Sequence, residues 1–286
     1  MITQEQFDTE LKMIISNAIR EDVGDGDHSS LACIPENARG KAKLLVKDKG
    51  IIGGVNFAKK VFAYVDKNLK LDVLIEDGTE VTYGDIVMYV EGSSQSILKA
   101  ERTVLNAMQR MSAIATKTRM FVDLVEGTKT KILDTRKTTP GIRVLEKWAV
   151  KIGGGENHRF ALYDMIMLKD NHIDFAGGIT KAITMAKDYL EETGKDLKIM
   201  VEARDLSEIE EILQSDGVYR ILIDNFDYED TRKAVKLIGN KCLTESSGNI
   251  NETTIRHYAE CGVNFISCGA LTHSVHNIDL SLKAMK

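Results

Sequence analysis

Residues 198–250 read KIMVEARDLSEIEEILQSDGVYRILIDNFDYEDTRKAVKLIGNKCLTESSGNI, and this stretch decides the fold. Short apolar runs at residues 198–201, 220–223 and 242–244 are separated by two segments with helical spacing. The first of these segments opens with Asp205, a residue type that caps helix N-termini. Uniformly apolar short runs that alternate with helices are typical of strands in a parallel sheet. The stretch therefore predicts repeated strand–helix units.

The same alternation extends over the whole second half of the chain. Further apolar runs lie at residues 131–133, 165–168 and 265–267, and helices are predicted at about 178–193, 205–214, 227–238 and 251–260. At least six such units favour a closed or nearly closed α/β barrel, with a doubly wound open sheet as the alternative. A GxGxxG motif follows none of the predicted strands, which argues against a dinucleotide-binding fold.

The first half of the chain has a different pattern. Residues 4–19 and about 98–125 have the spacing of amphipathic helices. Between them, residues 40–92 contain short β-type runs punctuated by glycines, which predicts mainly strands. At about 150 residues per domain, the 286 residues fit either two domains or one barrel-sized domain.

Composition excludes several classes of protein. Hydrophobic residues make up 43% and charged residues 28%, which is ordinary globular usage and excludes disorder. Apolar stretches fall short of the ~18 residues of a membrane span, and the first residues lack the features of a signal peptide. Four cysteines without a CxxC pair indicate a reducing compartment. We therefore expect a cytoplasmic protein with no membrane partner.

Charge indicates the kind of ligand. The net charge of −5 argues against nucleic-acid binding. Between Lys131 and His172, however, eight Lys and Arg residues face five Asp and Glu residues, a local excess of three positive charges. A small anionic ligand explains this block, and a solvated helix face is the alternative explanation.

Polar residues or glycines follow all six apolar runs of the second half. In chain order they are Asp134-Thr135-Arg136-Lys137, Lys169-Asp170-Asn171-His172, Glu202, Asp224-Asn225, Glu245-Ser246-Ser247-Gly248 and Cys268-Gly269. In an α/β barrel these positions share the catalytic face. Cations bind carboxylates and phosphates, whereas neighbouring acids bind sugar hydroxyls or hydrated Mg²⁺. Ser247-Gly248 and Gly269-Ala270 precede helices and suit a phosphate. The pattern predicts an anionic substrate facing a phosphorylated sugar, with magnesium between them.

Long motifs carry a resemblance to a known family. They are residues 134–143 (DTRKTTPGIR), 153–159 (GGGENHR), 168–172 (LKDNH), 21–30 (EDVGDGDHSS), 101–116 (ERTVLNAMQRMSAIAT), 245–250 (ESSGNI) and 262–274 (GVNFISCGALTHS). In these motifs the chain resembles the quinolinate phosphoribosyltransferases, the decarboxylating nicotinate-nucleotide pyrophosphorylases of NAD biosynthesis (EC 2.4.2.19). The resemblance runs nearly end to end.

The resemblance implies a fold, an assembly and a reaction. The fold would be an N-terminal α/β sandwich domain (residues 1–110) followed by an open, TIM-like α/β barrel (residues 111–273). A C-terminal helix, at about 276–285 within residues 274–286, would return to the first domain. The implied assembly is a homodimer in which the N-terminal domain of one subunit caps the barrel of the other. The implied reaction joins quinolinate to 5-phosphoribosyl 1-pyrophosphate and releases nicotinate mononucleotide, pyrophosphate and CO₂, with Mg²⁺ as cofactor.

The resemblance also assigns the site residues. Arg136, His158 and Arg159, with Thr135, would bind quinolinate, together with Arg102 from the partner subunit. Lys137 and Lys169 would lie between quinolinate and pyrophosphate and act in catalysis with Glu202 and Asp224. The two acids would hold the ribose hydroxyls and Mg²⁺. The expected 5′-phosphate loops are formed by Ser247, Gly248, Asn249 and Gly269.

Two departures from the family pattern concern glycines. Ala113 and Asn249 stand where the family usually has glycine. Asn tolerates positive φ better than most residues, so we expect the loop around Asn249 to keep its shape.

Three rival functions remain open at this point. They are a nicotinate phosphoribosyltransferase, a related barrel protein linked to molybdate use, and a non-catalytic binding protein. Five cations (Arg102, Arg136, Lys137, Arg159 and Lys169) favour a dicarboxylate over nicotinate. A binding protein would not need the acids Glu202 and Asp224 beside them.

Overall fold

The computed structural model describes residues 2–285, which divide into two compact units. The barrel unit consists mainly of Met120–Arg136 and Gly155–Ala270. The sandwich unit consists of Thr3–Arg119, Lys137–Gly154 and the chain from Leu271 onward. The units interleave along the chain. The predicted domain bounds, residues 1–110 with 274–286 and residues 111–273, stay predictions.

Eleven helices and twelve strands are assigned between residues 2 and 285. The helices are α1 (Gln4–Val23), α2 (His28–Cys33), α3 (Val55–Val65), α4 (Ser94–Leu124), α5 (Arg143–Ile152), α6 (Asp170–Ala176), α7 (Ile179–Thr193), α8 (Leu206–Ile212), α9 (Tyr228–Ile238), α10 (Ile255–Glu260) and α11 (Ala270–His273). The strands are β1 (Arg39–Val46), β2 (Gly50–Ile51), β3 (Lys70–Val73), β4 (Glu80–Val81), β5 (Ile86–Ser93), β6 (Lys131–Leu133), β7 (Ile166–Leu168), β8 (Ile199–Ala203), β9 (Val218–Asp224), β10 (Leu243–Ser247), β11 (Phe265–Ser267) and β12 (Leu280–Met285).

The barrel unit is built on a six-stranded parallel sheet in the order β6–β11–β10–β9–β8–β7. Successive strands are neighbours, and the last strand, β11, pairs with the first, β6. A doubly wound sheet would instead begin in its interior and grow in both directions. The order is that of a barrel opened between β6 and β7, so the predicted fold class is confirmed.

The free edge of β6 carries a short extra pairing. Glu156 forms a parallel bridge with Leu133, and its backbone N–H donates to the carbonyl of Ile132 at 2.8 Å. The bridge lies on the side of β6 opposite β11. It therefore fixes the segment that begins at Glu156 against the first barrel strand.

The predicted strands of the barrel are all present, and the helices differ mainly at their ends. α8 begins as expected, because the Asp205 side chain accepts from the backbone N–H of Glu208 at 2.9 Å. α10 begins at Ile255 and not at about residue 251. The Asn251 side chain accepts from the backbone N–H of Thr253, which forms a turn before the helix.

The sandwich unit contains an antiparallel sheet in the order β12–β1–β5–β3 and a smaller β2–β4 pair. Helix α3 lies within the region predicted to be mainly strands. Its buried residues, Val55, Phe57, Ala58, Val61 and Phe62, recur at three- and four-residue steps. That spacing is the helical signal that the glycines around it obscured.

The predicted C-terminal helix is wrong. Residues 280–285 form β12, which pairs antiparallel with β1 from Leu280 opposite Val46 to Met285 opposite Lys41. Leu280 and Leu282 are buried while Ser281 between them is half-buried, which is the two-residue period of a strand.

Helix α4 explains why Ala113 replaces a glycine without strain. Ser112, its neighbour, accepts from the backbone N–H of Gly53 at 2.9 Å and is fully buried. Ala113 itself is buried inside the helix, where no positive φ is required. None of the helices between residues 2 and 285 has both the length and the apolar character to cross a membrane.

Candidate active site

The predicted site residues of the barrel unit lie at the carboxyl ends of its strands. Thr135 and Arg136 follow β6, Lys169 follows β7, and Gly269 follows β11. Asp224 and Ser247 are register partners at the ends of β9 and β10. Because the strands are parallel, these ends share one edge of the sheet. Arg102, on α4, and Lys137 belong to the sandwich unit, and both side chains are exposed.

Lys169, Glu202 and Asp224 form a charged cluster across three neighbouring strands. The Lys169 Nζ lies 3.6 Å from the Glu202 Oε2. Burial raises the pKa of the Glu202 carboxyl, Lys169 opposes that rise, and the negative charges of Asp224 and Asp170 add to it. The cluster thus places carboxylates close enough to repel one another, and an added cation would relieve this repulsion.

These carboxylates fit a magnesium ion that is held largely by its substrate. Mg²⁺ prefers oxygen ligands and usually binds through one or two carboxylates plus substrate phosphates. Glu202 and Asp224 supply such oxygens from adjacent strands. Over residues 2–285, three or more His, Cys, Asp or Glu side chains do not gather into a metal-binding group. The described side chains at this edge therefore do not form a metal site made of protein ligands alone.

Arg136 and Arg159 bring two positive charges together. Arg159 is buried, and its Nη1 donates to the carbonyl of Met165 at 3.2 Å. Burial lowers the pKa of the Arg159 guanidinium, the charge of Arg136 lowers it further, and Asp164 opposes both. Arg136 is exposed. Two positive charges that act on one another favour binding of an anion, and a carboxylate can accept paired hydrogen bonds from an arginine.

Three contacts within the barrel unit fix the position of His158. Its backbone N–H donates to Asp134 at 2.9 Å, and its Nδ1 accepts from the backbone N–H of Arg159 at 2.7 Å. Its Nε2 lies 3.4 Å from the Glu245 Oε1. Since Nδ1 is an acceptor, we assign the ring proton to Nε2, on the side of Glu245. These contacts fix the backbone that presents Arg159, and direct contact of His158 with a substrate stays a prediction.

Glu245 and Arg220 form a buried ion pair that sequence reasoning missed. The Arg220 Nη1 lies 2.5 Å from the Glu245 Oε2, and both residues are buried. The Arg220 guanidinium also stacks 4.0 Å from the centre of the Phe265 ring. Burial alone would raise the pKa of Glu245, but His158 and Arg220 lower it to about 2.

The sequence did contain a signal for this pair. Arg220 is a charged residue inside the mainly apolar strand β9, Glu245 lies in the middle of β10, and Glu245 faces Leu222, two residues from Arg220. The apolar run at residues 242–244 predicts a strand that ends just before Glu245. β10 continues to Ser247, however, so Glu245 is an interior residue.

The loop after β10 has the geometry of a tight backbone turn. Gly248 has φ +95°, and Asn249 has φ +51°, as expected from the tolerance of Asn for this region. The Asn249 Nδ2 donates to the Asn225 Oδ1 at 3.4 Å, and Asn225 itself has φ +57°. A Cβ on Gly248 would lie 2.1 Å from that same oxygen. Glycine is therefore required where the loops after β9 and β10 meet.

Comparisons with known proteins match nearly the whole chain. Family models described as quinolinate phosphoribosyl transferase, N-terminal domain and C-terminal domain, match residues 27–112 and 114–283. Quinolinate phosphoribosyltransferase (decarboxylating) 1b of Nicotiana tabacum is 43% identical over 96% of this chain and 82% of its own length. A probable nicotinate-nucleotide pyrophosphorylase (carboxylating) of Bacillus subtilis is 38% identical over 96% of this chain and 93% of its own.

A solved structure extends the agreement to three dimensions. The crystal structure of NadC from Streptococcus pyogenes matches with a TM-score of 0.90 at 37% identity. The match covers 100% of this chain and 99% of that one.

The contact between Gly248 and Asn225 gives a stability prediction. Gly248→Ala adds a methyl group that the loop cannot accept without moving, and overpacking of this kind costs about 1–3 kcal/mol. Gly262→Ala is the matched control, because Gly262 has φ +87° but its nearest Cβ contact would be 3.7 Å away. Both variants carry the cost of positive φ, about 1–2 kcal/mol. Denaturant unfolding should show Gly248→Ala as the less stable of the two, and equal stabilities would contradict the assigned contact.

Proposed function

The chain belongs to the quinolinate phosphoribosyltransferase family, and we propose which of its residues carry out each step of the family reaction. The reaction transfers phosphoribose from 5-phosphoribosyl 1-pyrophosphate to quinolinate with loss of CO₂, in NAD biosynthesis. One observation supports the assignment above the others. The barrel edge carries a pair of arginines and, separately, a lysine beside Glu202, which in turn lies near the negative charge of Asp224.

Quinolinate has two adjacent carboxylates, which suit the arginines. Arg136 and Arg159 repel one another in the free protein, and a dicarboxylate removes this repulsion by pairing with both. Arg102 would complete the carboxylate site from a partner subunit. Thr135 and His158 are assigned to quinolinate binding beside the arginines, and His158 also accepts from the backbone N–H of Arg159. Nicotinate, with one carboxylate, would leave part of this positive charge unpaired.

The first chemical step is displacement of pyrophosphate from C1 of the ribose by the pyridine nitrogen. Positive charge develops on the ribose ring in the transition state, and the carboxylates of Glu202 and Asp224 stabilise it electrostatically. Lys137 and Lys169 neutralise the departing pyrophosphate. Mg²⁺, held by Glu202 and Asp224 together with the substrate, would supply further charge neutralisation at the pyrophosphate.

The second step is loss of CO₂ from the carbon next to the ring nitrogen. Once the nitrogen is bonded to ribose it is cationic, and it accepts the electron pair of the breaking C–C bond. The protein's part is to orient the carboxylate and exclude water. This explains why the proposed site consists of cations and acids, with no residue assigned as a nucleophile.

The 5′-phosphate is assigned to the loops after β10 and β11. Ser247, Gly248 and Asn249 present backbone N–H groups in a turn with consecutive positive φ values. Such turns form anion-binding concavities. Gly269 would contribute from the neighbouring strand end.

Two further properties are proposed with the function. A homodimer with shared sites follows from the role assigned to Arg102. A cytoplasmic location is proposed because the four cysteines are free, as in a reducing compartment. Some plant relatives carry chloroplastic or mitochondrial names.

The reaction itself has a direct test. Purified protein with Mg²⁺, 5-phosphoribosyl 1-pyrophosphate and carboxyl-labelled quinolinate should release labelled CO₂ and form nicotinate mononucleotide in equal amounts. A nicotinate phosphoribosyltransferase would form the nucleotide from nicotinate without CO₂, and a binding protein would form no product. Either result would overturn the assignment.

Arg136→Ala should impair quinolinate binding more than binding of 5-phosphoribosyl 1-pyrophosphate. Removing one charged partner of a desolvated carboxylate should weaken quinolinate binding by about 2–5 kcal/mol. Arg256→Ala is the control, since Arg256 is an exposed arginine on α10 that pairs with Glu260. Calorimetric titration with each ligand measures the two affinities. Equal weakening of binding for both ligands would show that Arg136 does not select quinolinate.

Arg102 should act on the barrel of the partner subunit. Arg102→Ala and Lys137→Ala should each be nearly inactive alone. After subunit exchange, each heterodimer would hold one site with both defects and one intact site. Random pairing should then restore up to about a quarter of wild-type activity, because a two-fold interface carries two equivalent sites. No recovery after exchange verified by mass would place Arg102 in its own subunit's site.

A further inference from the structure

The loop that carries Lys137 is anchored by a buried carboxylate. Glu146, on α5, accepts from both the backbone N–H and the hydroxyl of Thr139, at 3.0 and 2.8 Å. It also accepts from the Arg110 Nε and Nη2, at 3.0 and 2.8 Å. The Glu146 side chain is fully buried. Four donors thus converge on one carboxylate, and two of them belong to an exposed loop residue.

Thr272 connects the same network to Lys137. Its hydroxyl donates to the backbone carbonyl of Lys137 at 2.7 Å. Its own carbonyl accepts from the Arg110 Nη2 in a short hydrogen bond. Thr272 is fully buried, so its hydroxyl has no access to solvent. Arg110 therefore joins the carboxylate that holds Thr139 to the residue that holds Lys137.

Energetics favour a role in placement over one in stability. A buried ion pair loses most of its Coulomb energy to desolvation, so it is weak evidence for stability. What this network does is fix backbone atoms at Lys137 and Thr139, whose side chains are exposed. A flexible lysine can act on a leaving group only if its backbone is held in place.

We propose that Thr272, supported by Arg110 and Glu146, is a positioning residue for Lys137. This rests on the proposed role of Lys137 in the reaction. The network fixes the Lys137 carbonyl, and with it the backbone from which the lysine side chain extends.

The test uses two substitutions of similar size at one position. Thr272→Val keeps the branched shape but removes the hydroxyl, whereas Thr272→Ser keeps the hydroxyl. We expect Thr272→Val to lower kcat/KM about tenfold, since a misplacement of 1 Å costs up to ~10²-fold. Thr272→Ser should stay within about twofold of wild type. Thermal unfolding of both variants monitors the fold, and equal activity of the two would overturn the proposal.

A double-mutant cycle separates positioning from general damage. In the Lys137→Ala background, assayed at high enzyme concentration, Thr272→Val should cause no further loss. An equal further loss would show that Thr272 acts independently of Lys137. If Lys137→Ala alone keeps full activity, the assigned role of Lys137 fails and the positioning proposal fails with it. The assignment of the decarboxylating family reaction to this chain would not be affected by that result.

A variant at a second position tests the proposal even if Thr272→Val does not fold correctly. Thr139 is exposed, so Thr139→Val removes one donor to Glu146 without disturbing the core. It should lower kcat/KM in the wild-type background and not in the Lys137→Ala background, and Thr139→Ser should restore the rate. Unchanged activity of Thr139→Val would contradict the network's role.

Discussion

The site depends first on the pairing of β11 with β6. These strands are the last and the first of the barrel sheet, and they run parallel with Ser267 opposite Leu133. The pairing turns a row of strands into a ring that is open at one side. Residues separated by more than a hundred positions then share an edge, so the loop that begins at Asp134 and the loop at Gly269 are neighbours. Without this pairing the polar strand ends would be spread along a sheet.

Charges at this edge fall into two groups that differ in how they are compensated. The Glu245 carboxylate is neutralised by Arg220 within the barrel, at a distance of 2.5 Å, and the Arg220 guanidinium stacks on the Phe265 ring. Glu202 and Arg159, by contrast, each lie near a like charge that works against their ionised form. A folded chain keeps such charges together only by using other interactions. A ligand with the opposite charges at matching positions would remove the repulsion, which is the physical basis of the binding proposed here.

Local sequence patterns predicted the strands of the barrel but did not predict the side-chain contacts in its interior. Short apolar runs marked every parallel strand, because strands buried on both faces are uniformly apolar. Asn249 was expected to accept positive φ from residue type alone, and it does. β12 and α3 were missed, since the first was assigned by resemblance and the second lies among glycines. The contacts of His158 with Glu245 and of Thr272 with Lys137 join distant positions, so no periodicity reveals them.

Two of the buried carboxylates, Glu245 and Glu146, are linked through a neighbouring residue to the backbone of a cation assigned to the substrate. Glu245 faces the His158 ring, whose other nitrogen holds the backbone of Arg159. Glu146 holds Thr139 and, through Arg110 and Thr272, the backbone of Lys137. In each case the cation assigned to the substrate is long and flexible, while the carboxylate linked to its backbone is buried and paired with an arginine. Long cationic side chains lose much rotamer freedom when a ligand orders them. Fixing their backbones in advance reduces that loss, so under the proposed assignment the buried acids would contribute to binding without touching the substrate.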